Sequence, residues 1–282
     1  MQREIEKDFF LRNGFAYSTD QFDPEKVIIT PSVYEVIRVI NGIPLFWEAH
    51  LDRMQQSLSL LGYDISLEPA RIHAQLHQLI QKNHVSDHNI KVLMNHLDEE
   101  QPTLYLFFIT SYYPSKRQLE QGVPVIRIAA ERENPKAKVI ATKFREPIQK
   151  AIREAGVYEA LLINGADEIT EGSRSNFFVV KNGQFYTSPS QKVLEGVTRK
   201  TVLSLLDRLG YPCIEQPISQ KLIESADGLF LTGTSPGVLP ISQVDQQAFP
   251  SAHVKEIQEI QGLYHHFVKT YIAINGPSHT GY

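Results

Sequence analysis

Cysteine is almost missing from this chain: of 282 residues, only Cys213 carries a thiol. A single cysteine forms no intrachain disulfide and builds no thiolate metal cage, which removes the disulfide-stapled and zinc-finger classes. Long apolar runs are missing too. No stretch approaches the roughly 18 uninterrupted apolar residues of a membrane span. The amino-terminal MQREIEKDFFLRNGF mixes charges with apolar residues where a signal peptide has a continuous apolar core. There is no cationic run: 28 Lys plus Arg against 32 Asp plus Glu leave a net charge of -4, a poor match to nucleic acid or an anionic membrane. The expectation is a cytoplasmic protein with neither of those partners. GxGxxG, P-loop, HExxH and GxSxG motifs are all absent, so dinucleotide binding, P-loop nucleotide hydrolysis, zinc proteolysis and nucleophile-elbow hydrolysis have no sequence support.

What is present is an ordinary globular balance, 42% hydrophobic and 21% charged, on a chain long enough for one large domain or two smaller ones. Asn-Gly, a strong hairpin signal between strands, occurs four times. Asn41-Gly42 follows VYEVIRVI, Asn182-Gly183 follows NFFVV, and Asn164-Gly165 follows YEALLI, while the flanks of Asn13-Gly14 are less regular. TLYLFFIT, VPVIRIAA, KVIAT and GLFLT read as further strands, several apolar on both faces, which implies sheets covered on both sides or curled into a barrel. Periods of three and four predict helices from Glu48 to Leu61, Glu68 to Lys82, Thr198 to Leu209 and Val254 to Ile274. Another is expected with Pro147 in its first turn and Gly156 as its stop. With Tyr112 to Ser115 as the linker, the organisation is α+β in two domains, a smaller one over 1–112 and a larger one over 117–282. His73 and His77, and His84 and His88 in a polar loop, are four apart but lack a third ligand, and read as solvated surface residues with no metal.

Five elements carry chemistry. Glu195-Gly196-Val197-Thr198-Arg199 opens a helix, where free backbone N–H groups and the dipole favour an anion. Leu231-Thr232-Gly233-Thr234-Ser235-Pro236-Gly237 is a strand running into a loop of hydroxyls and glycines that lets backbone approach a ligand. Taken singly, these are equally an N-cap and an ordinary turn. Thr170-Glu171-Gly172-Ser173-Arg174-Ser175-Asn176 places a carboxylate among small residues, either beneath a ligand or in solvent. Lys138 opens KVIAT; an amine among apolar neighbours becomes a better nucleophile towards a carbonyl, whereas a strand-end lysine is usually solvated. Arg53 lies on the helix face opposite Leu51, Met54 and Leu58, where most arginines are merely exposed.

Together the five elements resemble the class IV, or fold type IV, pyridoxal-phosphate aminotransferases, a group that includes branched-chain and D-amino-acid aminotransferases and aminodeoxychorismate lyase. VYEVIRVINGIPLFWEAHLDRM is similar to the family's first hairpin and helix. KVIAT, GVYEALLI, ITEGSRSNFFVVKNGQFYTSP, LEGVTRKTVL and LFLTGTSPGVLPI resemble its second domain, in order and over nearly the whole chain. The resemblance implies a small α+β amino-terminal domain and a larger barrel-like carboxy-terminal domain carrying the cofactor lysine, and a homodimer. It implies that Lys138, set by its spacing to Glu159-Ala160, forms the Schiff base with pyridoxal 5'-phosphate, and that Glu171 keeps the pyridine nitrogen protonated. Arg53, Val197, Thr198 and Thr234 would hold the phosphate, with Gly233 permitting close approach, and Tyr34 would line the substrate pocket.

The sequence also departs from the pattern. ITSYYPSKRQ lacks the arginine- and histidine-bearing loop that D-amino-acid aminotransferases use for the substrate carboxylate, and ATKFRE replaces an aromatic found beyond the branched-chain enzymes' lysine. Arg145, Arg174, Lys116 and Arg117 are the candidate carboxylate anchors. The expected activity is amino-group transfer between an amino acid and a keto acid, with elimination of pyruvate by an aminodeoxychorismate lyase as the alternative.

Overall fold

The computed structural model describes residues 5–276, which form two compact units. The first unit comprises the described residues up to Tyr112, Ala137–Ile140, and those from Phe267 onward; the second comprises Tyr113–Lys136 and Ala141–His266. In the first unit, β1 (Ile5–Arg12), β2 (Phe15–Ser18), β3 (Val33–Ile40), β4 (Ile43–Pro44), β5 (His88–Asn95) and β6 (Thr103–Ile109) form one antiparallel sheet in the order β2-β1-β6-β5-β3-β4. Besides the short α1 (Pro24–Val27), the unit has α2 (Trp47–Leu60) and α3 (Pro69–Lys82). Strand alternation divides the side chains between two clusters. Ile37, Ile90 and Leu106 pack with Met54, Leu58 and Leu76 of the helices. Tyr34, Leu93 and Phe107 pack with Phe10 and Phe22 in the other.

The second unit contains α4 (Lys116–Gln121), β7 (Val123–Ala129), α5 (Thr142–Ala155), β8 (Glu159–Ile163), β9 (Glu168–Gly172), β10 (Asn176–Lys181), β11 (Gln184–Thr187), α6 (Val197–Leu209), β12 (Cys213–Glu215), β13 (Ile218–Ser219), α7 (Gln220–Glu224), β14 (Gly228–Gly233), β15 (Gly237–Val244) and β16 (Gln247–Ala248). α8 (Lys255–Asn275) contributes residues to both units. The strands make one curled, mixed sheet ordered β12-β11-β10-β14-β15-β7-β8-β9-β13, with β16 against β15. The FFVV and LFL cores of β10 and β14 are apolar at consecutive positions because both faces of these central strands are covered. Phe177, Val179, Leu229 and Leu231 fill one core, while Phe178 stacks on Phe230 on the other side at a centroid distance of 4.9 Å. A buried, unbroken strand needs no polar alternation.

Asn13-Gly14 closes the β1–β2 hairpin with both residues at positive φ, as do Asn41-Gly42 and Asn182-Gly183 in theirs. Asn164-Gly165 instead belongs to a four-residue loop in which the left-handed residue is Asp167 and neither Asn164 nor Gly165, and the Asn164 side chain accepts from Ala166 and Glu168 N–H.

Several expectations are corrected. KVIAT is not a strand: Val139 makes an isolated bridge to Val33, and Thr142 already begins α5. That puts Pro147 in the second turn, not the first. Ala137–Ile140 belongs with the first sheet because Tyr34 N–H donates to Lys138 C=O and Ile140 N–H to Ser32 C=O, which separates Lys138 from its sequence neighbours. HNIKVLMN, expected to begin in a polar loop, is the buried strand β5 between β3 and β6. His88 is accordingly buried, with Nε2 2.8 Å from Glu6. Its His, Asn and Lys hide the strand period, and its central position overrides local propensity.

Candidate active site

In the first unit, three expected residues share one neighbourhood. Lys138 N–H donates to Ser57 Oγ, and Ser57 Oγ–H donates to the Arg53 carbonyl one helical turn earlier. The Lys138 Nζ stands 5.0 Å from the centre of the Tyr34 ring. Arg53 is not an exposed helix residue but a buried one. Its Nε and Nη2 donate to the two oxygens of Glu35, at 2.7 Å each, and His50 Nδ1 lies 2.8 Å from Glu35 Oε2. Burial alone would push the Glu35 carboxyl up, but the Arg53 guanidinium and its hydrogen bonds, joined by His50, hold it well below the usual carboxylate range. Burial pushes His50 down against the pull of Glu35, and the charges of Arg53 and Lys138 add to that, so the imidazole is neutral and donates from Nδ1. Glu35 and His50 were outside the sequence expectation. Glu35 shares a face with Val33, Ile37 and Val39, and a charge on an apolar face is the signal that could have found it.

Lys91 of β5 is a buried amine. Its Nζ lies 5.0 Å from the Tyr34 ring centre and 5.9 Å from that of Phe107, a cation held by two aromatic faces.

In the second unit, the small residues of the glutamate motif serve a buried carboxylate. Glu159 accepts from Ser173 Oγ, Ser175 Oγ, Arg174 N–H and its neighbour Ala160 N–H. The turn is so tight that a β-carbon at Gly172 would lie 2.1 Å from Ser175 Oγ. It presents Glu171, buried, whose Oε1 accepts from Arg132 Nε at 2.8 Å, while Arg132 Nη2 donates to Ser173 C=O. Arg132 went unnoticed in the polar ERENPK run. Tyr158, which precedes Glu159, has its phenol pushed by burial up to about 12 against the nearby Arg174 charge, so it remains a proton donor.

Asn176 joins the remaining motifs. Its backbone pairs with Thr232 of β14, its Nδ2 donates to Leu194 C=O, and its Oδ1 accepts from Gly196 N–H. Gly196 caps α6 without a side chain, and a β-carbon there would lie 2.1 Å from Asn176 Oδ1. Val197 and Thr198, both buried, therefore begin a helix whose first N–H groups have no capping side chain. Thr232 is almost fully buried and its hydroxyl has no hydrogen-bond partner among the described residues. Gly233 and Thr234, half-buried, enter the β14–β15 turn, and a β-carbon at Gly233 would crowd the Pro236 ring at 3.1 Å and meet the Arg174 carbonyl at 3.7 Å. Arg174 itself is exposed and Arg145 sits half-buried on α5; Lys116 and Arg117 are exposed on α4, bonded to Glu120 and Gln121.

The family model for class IV amino-transferases matches residues 32–244, well over half of the chain. The chain belongs to the class IV aminotransferase family. It is 28% identical over 243 residues to a D-alanine aminotransferase of Bacillus licheniformis, covering 78% of this chain and 81% of that protein. It is 25% identical over 233 residues to a branched-chain-amino-acid aminotransferase of Pseudomonas aeruginosa, covering 76% of each. The solved Escherichia coli branched-chain amino acid aminotransferase superposes with a TM-score of 0.83 at 21% identity, over 93% of this chain and 95% of that one, which establishes fold type IV. A class IV aminotransferase is an enzyme.

The Glu35 cluster should give this class IV enzyme an acid limb in its stability. A depressed carboxyl contributes stability that is present above the unfolded carboxylate range, about pH 4.3, and is lost as pH falls from there towards its folded value. Glu35→Gln leaves the buried Arg53 guanidinium without its carboxylate and should destabilise the neutral-pH protein by about 3–5 kcal/mol. Urea unfolding from pH 7 to 3 should show a shallower acid limb in the variant; parallel limbs would contradict the assignment.

Proposed function

We propose that this chain is a cytoplasmic, homodimeric, pyridoxal-phosphate-dependent aminotransferase that moves an amino group between an amino acid and a keto acid. The observation that carries the reading is the anion cup at Asn176. A capless helix start with no room for a β-carbon at 196, next to a buried, unpartnered Thr232 hydroxyl, fits a phosphate ester better than a closed core. The N–H groups and hydroxyl of Val197 and Thr198, with the Gly233-Thr234 turn, would hold that phosphate. Arg53 would add charge, tempered by its carboxylate partner Glu35. Charge-assisted contacts of this kind contribute about 1.5–3 kcal/mol each.

Bound pyridoxal phosphate supplies an electron sink for bonds broken at the substrate α-carbon. Lys138 Nζ would hold the cofactor covalently and, once released, move the proton at that carbon. Glu171, anchored through Oε1 by Arg132, would hold a proton on the ring nitrogen. Tyr34 would line the substrate pocket. Among the carboxylate anchors, burial over the Tyr34 ring favours Lys91 above the exposed Arg174, with Arg145 second.

The direct test is a half-reaction without acceptor, using a panel of L- and D-amino acids. Stoichiometric bleaching of the visible cofactor band by at least one of them is expected, and borohydride should label Lys138. No bleaching across the panel, with pyruvate released from aminodeoxychorismate, would replace the transferase by the lyase. Lys91→Met should raise KM for the amino acid by about tenfold or more, a loss of roughly 1.4 kcal/mol, with a smaller change in kcat. An unchanged KM removes Lys91 from the anchor. A fully active monomer in sedimentation at micromolar concentration would contradict the dimer.

A further inference from the structure

The geometry points to a metal-binding site outside the catalytic clusters: His73 and His77 of α3 form a two-imidazole clamp for a divalent late transition-metal ion, with Cu2+ held most tightly. The two residues are one helical turn apart on the same face, so their side chains meet. Their Nε2 atoms are 3.0 Å apart, with the rings nearly perpendicular. Metal–imidazole bonds are about 2.0–2.1 Å long, so two such nitrogens on one ion are separated by about 2.9 Å at a right angle and about 3.3 Å at the tetrahedral angle. The observed separation falls between those values. Neither ring is the solvated surface group that the spacing alone suggests, since both are half-buried.

The clamp is also held in place. The His73 ring stacks on the indole of Trp47 at a centroid distance of 4.1 Å and an interplanar angle of 17°. The helix beneath is fixed by Ile72, Leu76 and Leu79, all buried in the core. Little side-chain freedom remains to be lost on binding. At most one proton lies between the facing nitrogens; it leaves to solvent as the cation takes both lone pairs. Among the described residues no group of three or more His, Cys, Asp or Glu surrounds a metal position. Water therefore completes the shell, and two nitrogens with open tetragonal positions suit Cu2+ first, ahead of Ni2+ and Zn2+.

Trp47 is the sole tryptophan of the chain, so its emission reports on this site alone. Titration of the purified full chain with CuCl2 should quench that emission saturably, with one ion per chain in the micromolar range, and chelator should restore it. His77 does not stack on Trp47, which makes His77→Gln the cleaner variant; it should raise the half-quenching concentration by about tenfold or more, as one of two ligands is lost. His84→Gln, altering an exposed histidine just beyond α3, should leave the curve in place. An unchanged curve in His77→Gln, or an equal shift in His84→Gln, overturns the site. In the unaltered protein, Cu2+ should protect His73 and His77 from diethyl pyrocarbonate while His84 still reacts; equal modification with and without metal overturns it as well.

Discussion

The side-chain amide of Asn176 ties together three segments that are far apart in the chain. It donates to Leu194, accepts from Gly196 and sits on a strand whose register partner is Thr232. A primary amide can donate and accept at once, which a carboxylate or a hydroxyl of the same length cannot do as well at two fixed backbone positions. The consequence is local and specific. With Gly196 drawn against the amide, α6 starts without a capping side chain, and its first N–H groups remain available to an anion. Glu159 plays the matching part for the preceding turn. It gathers two serine hydroxyls and two backbone N–H groups, so that Glu171 is presented by a tied-down turn and its Oε1 is fixed by Arg132.

The first unit solves a different problem, the burial of the Arg53 cation on the helix that also meets Lys138. Arg53 keeps its charge at low cost because Glu35 meets it with two hydrogen bonds, while His50 and the Val36 N–H also donate to that carboxylate. Through Ser57, the same helix fixes the backbone of Lys138. The lysine backbone is thus positioned by a helix and a strand rather than by its own loop.

Much of this was legible in the sequence. Asn-Gly pairs closed hairpins, three- and four-residue periods marked α2, α3 and α6, and apolar runs such as NFFVV identified covered strands. The motifs carried the family, which the match over residues 32–244 establishes. What stayed hidden depended on contacts distant in sequence. β5 reads as polar because His88, Asn89 and Lys91 are buried through partners on other strands. KVIAT reads as a strand, yet a lone bridge to Val33 is all the pairing it makes. Glu35 and Arg132 were invisible for the same reason, and Asn176, although part of a named motif, had no role legible there: a polar side chain shows its purpose only when its partner is known. Gly196 was legible as part of a motif, but the requirement for glycine there comes from the Asn176 oxygen.

The most direct measurement is the pyridoxal-phosphate dissociation constant of Asn176→Ala beside its urea midpoint. Loss of the amide should weaken cofactor binding by about tenfold or more, because the start of α6 is no longer held open, while the cost in stability stays near the 1–3 kcal/mol of unmet buried hydrogen bonds. Unchanged cofactor affinity in a folded variant would contradict the role given to this amide and the anion cup built around it.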